Sequence, residues 1–154
     1  MTTLNVMCGC PGSGKTYYVK THAQPEDLVV SRDAVRASMI TSGVPYFSQE
    51  AEVFNEYCSQ INAGIGKYDV IWADATHLNH KSRWKLLYNI EREKFDKIVF
   101  ICMETPLEEC LKRNANKPSS ERTPESALRN MAHSYRRPVT SDFLSLNVEI
   151  KVIF

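Results

Sequence analysis

Leu4-Asn5-Val6-Met7-Cys8 runs directly into Gly9-Cys10-Pro11-Gly12-Ser13-Gly14-Lys15-Thr16. An apolar run that stops at a glycine reads as a buried strand, and the periodic segment after Gly14 reads as a helix from Ser13 or Gly14 to about His22. Between them stands G-x-x-x-x-G-K-[ST], the phosphate-loop pattern. Each residue type in it has a mechanical reason. Gly9, Gly12 and Gly14 permit backbone angles that wrap the loop around a phosphate chain and turn consecutive N–H groups inward. The helix start adds its positive dipole end. Lys15 carries a mobile charge toward the outer phosphates, and Thr16 offers a hydroxyl to Mg²⁺. A chance glycine-rich turn would not need a strand before it and a helix after it, so the context supports a genuine nucleotide site.

Outward from this stretch, strands and helices alternate. Leu28-Val29-Val30 reads as a second strand, and Ser31 as the N-cap of a helix through Ile40. Thr41 to Phe47 reads as a loop with Gly43 and Pro45, and Ser48 precedes a helix with Ala51, Phe54, Cys58 and Ile61 on one stripe. Asp69 to Asp74 is a strand that ends in a carboxylate, and His80 to Phe95 has Trp84, Leu87 and Ile90 at helical spacing. Lys97 to Met103 is a further core strand. Pro106 opens another helix as its N1 residue, Pro124 to Tyr135 is helical, and Val148 to Phe154 closes the chain as a strand. This alternation predicts a three-layer α/β domain of the P-loop NTPase, kinase-like kind, with a mainly parallel sheet of about five strands. The expected ligand position is the carboxyl end of those strands.

The bulk numbers bound the rest. With 154 residues, the expectation is one domain over 1–154 with a single core. A formal charge of +1 argues against broad non-specific nucleic-acid binding. Charge is nevertheless uneven: Lys112 to Arg137 holds seven Lys/Arg against two Glu. That stretch reads either as a partner for polyphosphate or nucleic-acid backbone or as a solvated helix face. Five cysteines without metal-ligand spacing, no signal peptide and no apolar run near 18 residues point to a cytoplasmic protein that does not enter a membrane. Cys8 and Cys102 sit in apolar runs as small hydrophobes. The four histidines show no ligand or nucleophile pattern, and His77 reads equally as a site neighbour or a turn residue. Tyr46 and Phe47 read either as a base-stacking pair or as loop anchors.

Phosphoryl transfer to a hydroxyl needs a carboxylate near the γ-phosphate and cations to hold both partners. Asp33 stands just past the second strand, and Arg36 follows on the same helix face. They read as a base and a phosphate clamp, or as a first-turn aspartate paired with a nearby arginine. Asp74 has three readings: it holds a Mg²⁺-bound water, orients Arg36, or caps the turn into Thr76.

GCPGSGKT (9–16), SRDAVR (31–36), IWADATHLN (71–79) and LKRN (111–114), in this order, resemble the 5′-kinase domain of phage-type polynucleotide kinases, with a Thr123-Pro124 helix following. The resemblance covers nearly the whole chain. It implies ATP and Mg²⁺ as cofactors and a 5′-hydroxyl end of RNA or DNA as the acceptor. By the same likeness Asp33 is the general base, Arg36 binds the phosphate on the 3′ side of the acceptor nucleotide, Asp74 supports that site, and Arg113 lies near the ATP base or phosphates. The family's lid arginine has no direct counterpart: Lys117 stands four residues past Arg113, and the next arginine is Arg122. Lysine lacks a planar fork, so Arg122 is expected to be the lid cation, within a segment (Pro118 to Glu121) suited to closing over ATP. The aspartate-rich signature of the bifunctional members' phosphatase is absent, so a kinase alone is expected. Two other functions fit the motifs: a kinase of this fold acting on a nucleoside, small metabolite or tRNA-linked serine, and a non-catalytic ATP-binding switch.

Overall fold

The computed structural model describes residues 1–39 and 48–154. The loop assigned to 41–47, with Tyr46 and Phe47, lies outside the described residues, as does Ile40. Five strands, β1 (Thr3–Cys8), β2 (Leu28–Ser31), β3 (Val70–Asp74), β4 (Lys97–Met103) and β5 (Val148–Ile153), form one sheet in the order β2-β3-β1-β4-β5. Every pairing is parallel. Among the described residues six α-helices connect them, two in succession after β2 and two after β4: α1 (Lys15–His22), α2 (Arg32–Met39), α3 (Glu50–Gly64), α4 (His80–Asn89), α5 (Leu107–Ala115) and α6 (Glu125–Ser134). This is the kinase-like P-loop α/β fold.

Strand periodicity explains the layers. In β1, Leu4, Val6 and Cys8 face one side with Ile71, Ala73, Ile98, Phe100 and Cys102, and α2, α3 and α4 cover that side. Met7 faces the other with Trp72, Val99 and Ile101, under Val19 of α1. Period-two alternation with both sides apolar requires cover on both, which is what a parallel sheet demands. β1 is central, so its carboxyl end, where the phosphate loop begins, is flanked by the ends of β3 and β4. β1 stops at Cys8 in register with Cys102.

Several sequence boundaries shift for identifiable reasons. The helix expected over 80–95 ends at Asn89, and Ile90 is extended before a 3₁₀ turn at 92–94. Asn62 of α3 draws the chain aside by accepting the Glu91 amide at 2.9 Å, and Arg92 donates to the Leu87 carbonyl at 3.2 Å. At the start of α4, Asn79 and Ser82 form a reciprocal capping box. The buried stripe of α3 is Val53-Phe54, Tyr57-Cys58 and Ile61, whereas Ala51 is exposed. Pro106 is the N-cap of α5 rather than its N1 residue, with its carbonyl accepting from Glu109 and Cys110. β5 ends at Ile153. Trp72 packs on the α1 side and donates to Asp27 at 2.9 Å, while Trp84 stacks on Phe143 with centroids 5.6 Å apart. No described helix is long and apolar enough to cross a membrane.

Candidate active site

The phosphate loop is a left-handed backbone turn held from three sides. Gly12 and Gly14 have φ of 82° and 100°, where a side chain would be strained, and a Cβ on Gly12 would meet the Cys110 carbonyl oxygen at 2.8 Å. Gly9 N–H donates to the Thr76 carbonyl at 2.8 Å, Ser13 N–H to Cys10 at 3.1 Å, and Thr105 Oγ1 to the Ser13 carbonyl at 2.7 Å. Gly14 is the N-cap of α1 and brings no side chain to its first-turn amides, which leaves them for an anion. Lys15 is buried and its Nζ donates to the Cys10 carbonyl at 2.9 Å. Burial lowers its pKa, opposed most by the charge of Asp74.

Thr16, in the first turn of α1, meets Asp74 at the end of β3. Thr16 Oγ1 donates to Asp74 Oδ2 at 2.9 Å. With its proton committed there, the threonine oxygen keeps its lone pairs for a cation, and the carboxylate keeps a second oxygen for one of the cation's waters. The pair therefore fits Mg²⁺, and the glycine turn fits the phosphates of ATP. Burial raises the pKa of Asp74, with the charge of Lys15 and then the Thr16 hydrogen bond pulling it back.

Across the cavity stands the N-terminal turn of α2, where Ser31 Oγ accepts from Ala34 N–H at 3.3 Å. Arg36 is almost enclosed, with its side chain 6% exposed. Its Nε and Nη2 donate to Glu50 Oε2 and Oε1 at 2.7 and 2.6 Å, a fork-on-carboxylate pair. Its Nη1 donates to Asp33 Oδ1 at 2.6 Å. Asp33 itself is 78% exposed on the cavity wall. Burial pushes Glu50 up, but the hydrogen bond and charge of Arg36, helped by Arg32, leave its pKa lowered. Arg32 reaches Glu50 only at 3.4 Å, lies over the Phe54 ring and has a buried Nε without a hydrogen-bond partner among the described residues.

The third wall is α5, α6 and the turn between them. Arg113 Nη1 donates to the Gly12 carbonyl at 3.1 Å. Asn114 and Thr123 exchange side-chain-to-backbone bonds at 2.7 and 3.0 Å, clamping the two ends of the α5–α6 connection. Lys117 and Glu121 line the cavity. Arg122 does not; its Nε and Nη2 donate to the Lys117 carbonyl at 3.3 and 2.8 Å.

These walls enclose about 860 Å³. The structure brings Pro11, Gly12, Gly14, Lys15, Thr16, Asp33, Arg36, Asp74, Arg113 and Lys117 onto one cavity. Gly9, Cys10 and Ser13 lie behind it as buried parts of the loop, and Arg122 lies outside its wall. Sequence reasoning missed Glu50, which a first-turn glutamate disguises as a helix-dipole partner, and the exposed Tyr17 on the cavity rim.

His77 is buried beneath the loop at φ 38°. Its Nδ1 lies 2.6 Å from the Met7 carbonyl, which can only accept, so Nδ1 carries the proton and Nε2 accepts from Tyr57 at 3.4 Å. Burial lowers its pKa to about 4, against the Met7 hydrogen bond and with help from the charges of Arg32 and Arg83. The unfolded state then binds the proton first, so stability falls as pH drops from about 6.5 toward 4, by about 3 kcal/mol in all. In urea melts across this window, His77→Asn, a residue that tolerates positive φ, is expected to flatten the slope by that amount. An unchanged slope would remove His77 as its source.

Residues 4–138 match the family model of an AAA domain, AAA_33. No curated protein matches the sequence. Among solved structures, the chain resembles a protein of a Pnkp1/Rnl/Hen1 RNA repair complex, with a TM-score of 0.69 and 21% identity over 95% of this chain and 46% of that one. It thus spans less than half the length of that relative. A fungal RNA kinase gives 0.65 and 14% identity over 99% of this chain and 74% of the other. A Janibacter sugar kinase, unliganded, gives 0.63 and 20% identity over 99% and 86%. At these identities the likeness shows the fold. A parallel sheet opening on a phosphate loop, matched over most of its length by one family model, places this chain in the AAA_33 family of AAA domains.

Proposed function

We propose that the protein transfers the terminal phosphoryl group of ATP to the 5′-hydroxyl of a polynucleotide. One observation carries this reading: an exposed carboxylate, Asp33, stands on the same cavity as Lys15 and the Thr16–Asp74 pair, and a nearly buried arginine holds its Oδ1. In this role the loop amides and Lys15 hold the triphosphate. Thr16 and Asp74 would hold Mg²⁺, which would supply positive charge to the phosphates when bound. Asp33 accepts the proton of the incoming hydroxyl as it attacks the γ-phosphorus, and ADP leaves on the opposite side. The basic stretch from Lys112 to Arg137 and the RNA kinase among the structural neighbours favour a nucleic-acid acceptor. The test is incubation with γ-labelled ATP, Mg²⁺ and a 5′-hydroxyl oligonucleotide, RNA and DNA in parallel. Label at the 5′ end is expected, and transfer to neither strand would refute the proposal.

A second reading keeps the chemistry and changes the acceptor to a nucleoside, sugar or other small hydroxyl compound. The engagement of Arg36 by Glu50 and Asp33 favours it, because three donors of the expected phosphate clamp already have partners. Arg36→Ala separates the readings. Loss of the preference for an acceptor bearing a 3′-side phosphate supports the polynucleotide, and an unchanged acceptor profile supports the small hydroxyl compound.

The lid cation is open to the same assay. Lys117 lines the cavity and Arg122 spans back to the Lys117 carbonyl. Lys117→Ala is therefore expected to lower kcat by about 10²-fold, in the range of a lost transition-state charge contact, with Arg122→Ala affecting it less. The reverse order in single-turnover rates would restore Arg122 as the cation.

A further inference from the structure

The phosphate loop and α5 meet through two sulfurs as well as through the hydrogen bond from Arg113 to the Gly12 carbonyl. Cys10, the second residue of the loop motif, and Cys110, in the middle of α5, have Sγ atoms 3.4 Å apart. Both are free thiols. They share a small apolar cluster with Leu128. A disulfide needs sulfurs about 2.05 Å apart, so closure asks for roughly 1.4 Å of approach. We propose that Cys10 and Cys110 are a peroxide-sensitive modification site, whose disulfide ties the phosphate loop to α5 and turns nucleotide binding off.

The two sulfurs are unequal in the way such a reaction needs. Cys10 is 7% exposed and Cys110 is 0% exposed, so a small oxidant reaches Cys10 first. The Cys110 hydrogen bond, more than the charge of Lys15 and against burial, lowers the pKa of Cys10 to about 7. The same bond, together with burial, raises that of Cys110. Cys10 is thus the attacking thiolate and Cys110 the resolving thiol. The Cys10 thiolate attacks one peroxide oxygen; an S–O bond forms, the O–O bond breaks, and hydroxide leaves and takes up a proton as water. The Cys110 sulfur then attacks the Cys10 sulfenic sulfur. The S–S bond forms, the S–O bond breaks, and the second water leaves with the Cys110 proton. Two thiols lose two electrons, and one peroxide becomes two waters.

The consequence for the site follows from what Cys10 carries. Its carbonyl accepts from both Lys15 Nζ and Ser13 N–H, so its backbone sets the lysine and the turn. Two residues further on, Gly12 already packs against the Cys110 backbone with no room for a Cβ. Drawing the Cys10 side chain toward α5 shifts that carbonyl and pins the loop to a helix that must leave room for the phosphates. Cys8 and Cys102 also stand side by side, in register on β1 and β4, but both are 0% exposed.

The test uses the full chain, reduced, desalted and treated with hydrogen peroxide, then alkylated. The intact mass read before alkylation should fall by about 2 Da, and digestion after alkylation should give a Cys10–Cys110 cross-linked peptide. Affinity for a fluorescent ATP analogue should fall at least about ten-fold and return with dithiothreitol. Reduced Cys110→Ser should bind the analogue as the parent does, and under peroxide it should collect oxygen on Cys10 without a disulfide. Cys110→Ala serves if the serine destabilises the lid. A Cys8–Cys102 cross-link, no cross-link, or a Cys10–Cys110 disulfide with unchanged affinity would each overturn the proposal. Mass and nucleotide binding are read without any acceptor, so these outcomes are independent of whether a polynucleotide is phosphorylated.

Discussion

Asp33→Asn is expected to slow transfer to a 5′-hydroxyl oligonucleotide by about 10²- to 10⁴-fold, the usual contribution of a positioned base, with nucleotide affinity retained. The substitution is close to isosteric. Its amide oxygen can still accept from Arg36 Nη1, which now donates to Asp33 Oδ1 at 2.6 Å, so the side chain keeps its orientation. Asp33 is 78% exposed, so the loss of charge opens no buried defect, and stability should stay within about ±0.5 kcal/mol. The combination is diagnostic: a well-folded protein that binds ATP and does not transfer. Single-turnover rates and a nucleotide titration on the same preparation measure both. If transfer persists, Asp33 is a partner of Arg36 and nothing more. If nucleotide affinity falls with the rate, its role lies on the donor side.

The parts of this molecule legible in the sequence are those set by local chemistry. The β1 run, the glycine spacing and the helix after Gly14 involve neighbours along the chain, and their backbone angles follow from residue type. Continuous apolar runs likewise mark the strands, because both sides of a central parallel strand are buried. The failures are contacts between distant segments. The end of α4 is decided by Asn62, which lies in α3 and competes for the Glu91 amide. The burial of Arg36 depends on Glu50, fourteen residues later and beyond a helix break. Nearer along the chain, the Arg122 guanidinium donates to the Lys117 carbonyl five residues back, a pairing that residue type alone does not specify. Neither periodicity nor motif spacing encodes such pairings.

Glu50→Ala should unfold the protein at a temperature lower by roughly 5–10 °C, from a loss of about 2–3 kcal/mol. The physical reason is an enclosed cation deprived of its principal counterion. Arg36 is 6% exposed, and Glu50 engages both its Nε and Nη2. Truncating one partner of a fully buried pair costs more, about 3–5 kcal/mol, but Glu50 is 33% exposed and solvent screens part of the interaction. Arg36 would then lean more heavily on Asp33, which draws the carboxylate away from an incoming hydroxyl, so transfer should fall along with stability. Glu50→Gln separates these effects by preserving volume and one acceptor oxygen. The lowered pKa of Glu50 fixes the sign of the pH dependence: the ion pair stabilises the fold above the ordinary glutamate value of 4.5 and is lost as pH falls through the lower folded value. The advantage of the parent over Glu50→Gln should therefore shrink toward acid. A double-mutant cycle with Arg36→Leu and Glu50→Leu completes the argument, since removing both charges should cost less than the sum of the two single losses. Strict additivity would mean that the two side chains act independently, and that Arg36 is held by something other than Glu50.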